Sequence, residues 1–144
     1  MGGLRDILER SETVAVVGIS RDYEKPGGHV PVMLQRRGFR IIPVNPNLEE
    51  ILGEKAYPSL LEIPEPVDVV EVFRPSEEAP ELARQAVAIG AKTLWLQLGL
   101  QSEEARLIAE EAGLTYVEDH CMGVESAKYH IRKRAARGEA AGTP

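Results

Sequence analysis

Five short apolar runs, rich in β-branched residues, constrain this chain more than any other feature. They are Thr13–Val17, Phe39–Val44, Val67–Phe73, Thr93–Leu98 and Leu114–Val117. Their apolar character is continuous rather than alternating, which is the mark of strands buried on both faces. Segments with helical spacing separate most of them, so the pattern is β-α-β-(α)-β-α-β-α-β. It predicts an α/β fold of the Rossmann-like, doubly wound type: a mostly parallel five-stranded sheet with helices on both faces.

The helical segments carry their own punctuation. Leu4, Ile7 and Leu8 predict a short helix over residues 3–10. Val30, Val32, Met33 and Leu34 form a stripe that ends at Gly38, a glycine stop. Ser76, followed by Glu77 and Glu78, reads as the N-cap of a helix running to Ile89-Gly90, and Ser102 opens the next one, which ends at Gly113. The C-terminal segment, with Ala127, His130, Ile131 and a run of Lys and Arg, is expected to be a helix fraying into a polar tail. Residues 47–63 are less regular and suggest a turn and a single helical turn. At Pro43-Val44-Asn45-Pro46 two prolines withhold ladder donors, so the chain is expected to leave the sheet there.

With 144 residues, the chain suits one domain, able to bury roughly 70% of its unfolded surface without staples. The expected division is a single domain over 1–135 and a polar tail over 136–144. A net charge of −6 argues against nucleic acid as a partner. No apolar run reaches membrane-spanning length, and the N-terminus has no signal-peptide pattern. One cysteine, Cys121, excludes an internal disulfide and offers no metal spacing, as expected of a cytoplasmic protein. Scarce Asn, Gln, Cys and Met beside plentiful Glu, Arg and Pro are the composition of a thermophilic source.

Ligands of such folds bind beyond the carboxyl ends of the strands. The exits to examine are Gly18–Lys25, Asn45-Pro46, Arg74-Pro75, Gln97–Gly99 and His120-Cys121. Gly18 lets the backbone turn sharply. Ser20 offers a hydroxyl, and Arg21, Lys25 and Arg74 offer charge suited to phosphate oxygens, although Asp22 and Glu24 lie between two of the cations. The dinucleotide fingerprint is not met, because Ser20 replaces its second glycine. The acid that an NAD site places at the end of strand two is also missing, since Asn45 stands there. A Walker A loop is absent. Trp95 reads as core, His29 and His130 as surface histidines, and Cys121 as a small buried hydrophobe rather than a reactive thiol. No catalytic triad, HExxH or carboxylate pair stands out, so no catalytic residue and no metal ligand is assigned.

The stretches Val16-Val17-Gly18-Ile19-Ser20, Lys25-Pro26-Gly27, Pro43-Val44-Asn45-Pro46, Gly53, Tyr57-Pro58-Ser59-Leu60, Val67-Asp68 and Trp95-Leu96-Gln97-Leu98-Gly99 resemble those of stand-alone CoA-binding domain proteins. These are relatives of the N-terminal domain of the succinyl-CoA synthetase α subunit. The resemblance covers roughly residues 5 to 130. It implies that Gly18, Ile19, Ser20 and Arg21, with Lys25 nearby, contact CoA phosphates, and that Asn45 and Pro46 lie along the same ligand. It further implies that Phe73, Arg74 and Pro75 border the adenine, and that Gln97 to Gly99 face the pantetheine. The synthetase has a Gly-Thr-Gly type loop where this chain has Gly-Ile-Ser, and a lysine near the position of Asn47. Its phosphohistidine domain has no counterpart here, so ligase activity is not carried over. The expected function is binding of coenzyme A or acyl-CoA by a carrier, sensor or regulatory module, with a partner enzyme as a possible associate. The alternatives are a small NAD(P)-dependent oxidoreductase, a subunit of a CoA ligase-type enzyme, and an interaction module whose loop is merely solvated.

Overall fold

The computed structural model describes residues 3–134. The apolar runs form β1 (Thr13–Val17), β2 (Arg40–Val44), β5 (Val69–Val72), β6 (Thr93–Leu96) and β7 (Thr115–Val117), and two short strands, β3 (Glu50–Ile51) and β4 (Glu54–Lys55), stand apart. The five-stranded sheet has the order β2-β1-β5-β6-β7, and every pairing in it is parallel. The order reverses between β1 and β5, so the exits of these two strands form the topological switch point.

Period-two alternation sorts the strand residues into two layers. Val14, Val16 and Trp95 face one side, with Leu8, Val30, Leu34 and Met122 packed on them from α1 (Leu4–Arg10), α2 (Pro26–Arg36) and α5 (Met122–Lys128). Ala15, Val17, Val70, Val72, Leu94 and Leu96 face the other side, under α3 (Ala79–Ala88) and α4 (Glu103–Glu111). Those two helices present Ala79, Ala83, Ala86, Ala105 and Ala109, all fully buried, so their backbones approach the sheet closely. Asp68 ties the starts of two strands together: its Oδ2 accepts the N–H groups of Glu12 (2.8 Å) and Thr13 (3.0 Å).

Strand β2 ends at Val44, inside the Pro43–Pro46 stretch where the chain is expected to leave the sheet, while two other local expectations are corrected. Pro43 itself still pairs in register with Val16. Strand β2 is an edge strand, and the Val44 carbonyl, facing β1, accepts the Gly18 N–H (3.1 Å). Pro43 therefore turns its own backbone outward, where its carbonyl accepts the Tyr57 N–H (3.0 Å) and no donor is needed. The turn and the single helical turn expected within residues 47–63 are both present: residues 50–55 form a hairpin with Leu52 (φ 58°) and Gly53 (φ 75°) as its two turn residues, and Leu60–Glu62 form a 3₁₀ turn. Ser76 is no N-cap: a 3₁₀ turn (Ser76–Glu78) precedes α3, and the Ser76 hydroxyl instead accepts the Gln101 N–H (3.1 Å).

The second correction concerns the C-terminal segment. Helix α5 stops at Lys128, and His130 (φ 56°) turns the chain back over α1. Ile131 and Lys133 are each only 4% exposed. The Lys133 ammonium donates to the carbonyls of Leu8 and Glu9 at the C-terminal end of α1, and it lies 5.0 Å from the Phe39 ring centroid. The polar tail expected over 136–144 lies outside the described residues.

Candidate ligand-binding cleft

Strand β1 exits at Gly18, where φ is +89°, a conformation that only glycine adopts cheaply. The loop that follows is fastened at both ends. The Ser20 N–H bonds the Gly27 carbonyl (3.0 Å), and the Lys25 N–H bonds the Asp22 carbonyl (3.0 Å). Inside the loop, the Ser20 hydroxyl accepts the Asp22 N–H (3.0 Å), and the Asp22 carboxylate accepts the Glu24 N–H (3.0 Å). Asp22 is thereby used in holding the turn, which explains an acid between the cations.

Helix α2 starts directly from this loop with Pro26 at its first position, where a missing N–H costs nothing. Gly27 and Gly28 are required by contact. A Cβ on Gly27 would lie 2.8 Å from the Gly18 carbonyl oxygen, and one on Gly28 would lie 1.9 Å from the Asp22 oxygen. The N-terminus of an eleven-residue helix is thus pressed against the loop, with its positive dipole end at the sheet's carboxyl edge.

A cleft of ≈ 580 Å³ opens there. It gathers Gly18, Ile19, Ser20, Arg21 and Lys25 from the loop, Asn45 from the end of β2, Phe73 and Arg74 from the end of β5, and Gln97 from the end of β6. Arg21 is anchored, since its Nη2 donates to the Glu50 carbonyl (2.7 Å). The Lys25 side chain is exposed and has no hydrogen-bond or ion-pair partner among the described residues. Asn45 braces the site: its Nδ2 donates to the Ile19 carbonyl (2.8 Å), and its Oδ1 accepts the Asn47 N–H (2.8 Å). Gln97 is only 6% exposed, and its buried Oε1 has no donor among the described residues. The cleft therefore combines cations and a helix N-terminus at one side with an unpaired acceptor and apolar surface at the other.

The CoA binding domain family matches residues 12–127. The chain belongs to that family. Over 124 residues it is 42% identical to the uncharacterized protein YneT of Bacillus subtilis, covering 86% of this chain and 92% of that protein. It is 38% identical over 109 residues to ADP-forming acetate–CoA ligase II of Archaeoglobus fulgidus, matching 74% of this chain but 16% of the ligase. Among solved structures, a hypothetical protein from Pyrococcus horikoshii OT3 superposes with a TM-score of 0.85 at 38% identity, covering 88% of this chain and 89% of that one.

Within this CoA-binding domain, most residues assigned from the sequence to the ligand line the one cleft. Three of them do not, and neither do His120 and Cys121 at the β7 exit. Pro46 borders a neighbouring hollow on the α3 side. Pro75 lines neither, and Gly99 lies in the turn beyond, its N–H held by the Asp119 carboxylate (2.7 Å). Leu98, inside the Gln97–Gly99 stretch, lines the cleft as well, and Leu48 and Leu100 join it from outside the stretches named in the sequence. Leu48 and Leu100 lie just beyond the ends of β2 and β6, and an apolar residue past a strand exit is the signal that could have marked them. The remaining candidates sit as expected of structural residues. Trp95 is fully buried and donates its Nε1–H to the His120 carbonyl (2.9 Å), Cys121 is buried as a free thiol, and the His29 Nδ1 meets the Tyr23 carbonyl (2.9 Å).

The β-branched run of β5 conceals one ionisable residue. Glu71 is fully buried, with neither carboxyl oxygen hydrogen-bonded among the described residues. Desolvation pushes its pKa up from 4.5 to about 8, so it is a neutral acid at pH 7. Among the described residues, no group of three or more His, Cys, Asp or Glu side chains could hold a metal ion, and no helix is long and apolar enough to cross a membrane.

Proposed function

We propose that the cleft binds coenzyme A or an acyl-CoA, and that the chain serves as a carrier, sensor or regulatory module. The observation that carries this reading is the meeting, at the switch point, of the α2 N-terminus, Ser20 and Lys25 with a β2 exit that ends in Asn45. Exposed cations beside a helix N-terminus suit phosphate oxygens. An NAD site needs an acid at the β2 position for the ribose hydroxyls, whereas Asn45 spends its carboxamide on the loop backbone. In this reading Gly18, Ile19, Ser20, Arg21 and Lys25 border the phosphates, Asn45 holds their loop, and Phe73 and Arg74 border the adenosine. Gln97 accepts a hydrogen bond from an amide or amine of the ligand, beside the apolar side chains of Leu98 and Leu100.

A second reading, a CoA-binding subunit of a CoA ligase-type enzyme, draws support from the similarity to the acetate–CoA ligase of Archaeoglobus fulgidus, of whose length this chain matches 16%. It keeps the same cleft and adds a partner that supplies the chemistry. Acetate or a related acid would be the substrate of that assembly. The loop and a reducing, cytoplasmic setting serve both readings equally.

Calorimetric titration of the wild type and of Lys25→Glu with CoA tests the site. Reversing the exposed Lys25 charge should weaken binding by about 1–3 kcal/mol, the worth of a charge-assisted contact. Equal affinity in the two proteins would remove the loop from the site.

A further inference from the structure

Arg74 stands between two hollows. Beside the main cleft, a second one of ≈ 370 Å³ opens on the α3 side of the same sheet edge, bordered by Pro46, Leu60, Glu78 and Leu82. Gly18, Asn45 and Arg74 line both. The aliphatic stem of Arg74 lies across Gly18, close enough that a Cβ there would be 3.0 Å from Arg74 Cδ. Its guanidinium is held on the far side by Glu78, with Nε to Oε1 at 3.0 Å and Nη2 to Oε2 at 2.7 Å. The cation nearest the switch point is thus spoken for by a carboxylate rather than turned to the cleft.

We propose that Arg74 and Glu78 form a latch between the two hollows, in which Glu78 competes with a bound phosphate for the Arg74 guanidinium and so sets ligand affinity. The proposal rests on the CoA reading of the cleft. Both side chains are about half exposed, 48% for Arg74 and 45% for Glu78. Exposed i,i+4 ion pairs of this kind are weak. A diphosphate carries more charge than one carboxylate and presents several oxygens to the same planar fork. When such a ligand arrives, rotation about the Arg74 side chain transfers the guanidinium from Glu78 to the phosphates. The same movement lifts its stem from Gly18 and joins the two hollows into one channel for an elongated ligand. An uncharged ligand has no means of releasing the latch, so the pair also selects for phosphates. Glu78 is a positioning residue here, because it acts only through Arg74.

Calorimetry with CoA on the wild type, Glu78→Gln, Arg74→Gln and the double variant tests the latch. Freeing Arg74 from its carboxylate should make Glu78→Gln bind CoA about threefold more tightly, the worth of a weak exposed ion pair. Arg74→Gln should bind about tenfold or more weakly, and the double variant should match Arg74→Gln, because the benefit of losing Glu78 needs Arg74. The latch is overturned if Glu78→Gln binds no more tightly than wild type, or if its gain persists in full without Arg74. A wild-type chain that fails to bind CoA overturns the functional reading, and the latch with it. Binding with an unaltered Glu78→Gln affinity overturns the latch alone.

Discussion

Glu71 on β5 and Trp95 on β6 are register partners at the centre of the sheet, and both are fully buried. The indole has a partner in the His120 carbonyl, while the carboxyl has none among the described residues. A carboxyl group in such surroundings stays folded comfortably only while protonated.

The linkage gives a signed pH dependence. Below pH 4.5 Glu71 is protonated in both folded and unfolded chains. Between 4.5 and about 8 the folded chain keeps a proton that the unfolded chain has lost, so stability falls as pH rises. The slope is roughly 1.4 kcal/mol per pH unit across that window, and the loss is complete above it. Glu71→Met, an apolar replacement of similar length, should therefore melt higher than wild type at pH 8, by a margin that shrinks toward pH 5. Thermal melts at the two pH values check this; an equal margin at both would mean that the burial of Glu71 has no linkage to folding.

Gly28 makes a sharper steric prediction. With 1.9 Å between a Cβ there and the Asp22 oxygen, Gly28→Ala cannot be accommodated by a side-chain movement, because the obstacle is backbone. The variant should lose at least ~2 kcal/mol of stability and bind CoA more weakly, since the loop from Ser20 to Lys25 must shift. Urea denaturation and a CoA titration measure the two effects; a wild-type result in both would show that the loop is not packed on α2 as described.

How far the sequence foretells these features depends on which force shapes each residue. The core strands are legible because Val and Ile in continuous runs have one good solution, a strand buried on both sides. The loop and the α2 N-terminus are legible because glycine and proline limit the backbone directly. At residues 50–55 the turn is legible from Gly53 but the strand pairing is hidden, because Leu52 sits at a positive φ where a sequence reading looks for Asn or Gly. Glu71 is hidden by its Val neighbours, and no local signal says that a carboxyl will be left without a partner. Lys133 misleads for the opposite reason: runs of Lys and Arg are normally solvated, and distant groups, the carbonyls of Leu8 and Glu9 among them, make its burial favourable. In the cleft, Asn45 is legible as a missing acid, but its bracing bond to Ile19 is a tertiary fact.

Lys133 supplies a test of that last kind of contact. Lys133→Met keeps most of the buried stem and removes the ammonium from the two carbonyls that end α1. The expected loss is about 2–3 kcal/mol, as for hydrogen bonds made by a charged donor. Because α1 leads into the start of β1, at the end of the sheet opposite the cleft, CoA affinity of the folded variant should not change. Denaturant midpoints together with a titration below the transition report both. A stability loss near zero would mean that the amine is no better placed there than in water.

In the proposed reading, the cleft over Gly18 and α2 holds the phosphates of CoA in preference to those of a dinucleotide. Calorimetry of the wild-type chain with CoA, acetyl-CoA, NAD and ATP measures it most directly. The expected result is a one-to-one complex with CoA or acetyl-CoA that is clearly tighter than any complex with NAD. Clear binding of NAD, with no heat from CoA at millimolar ligand, would contradict it.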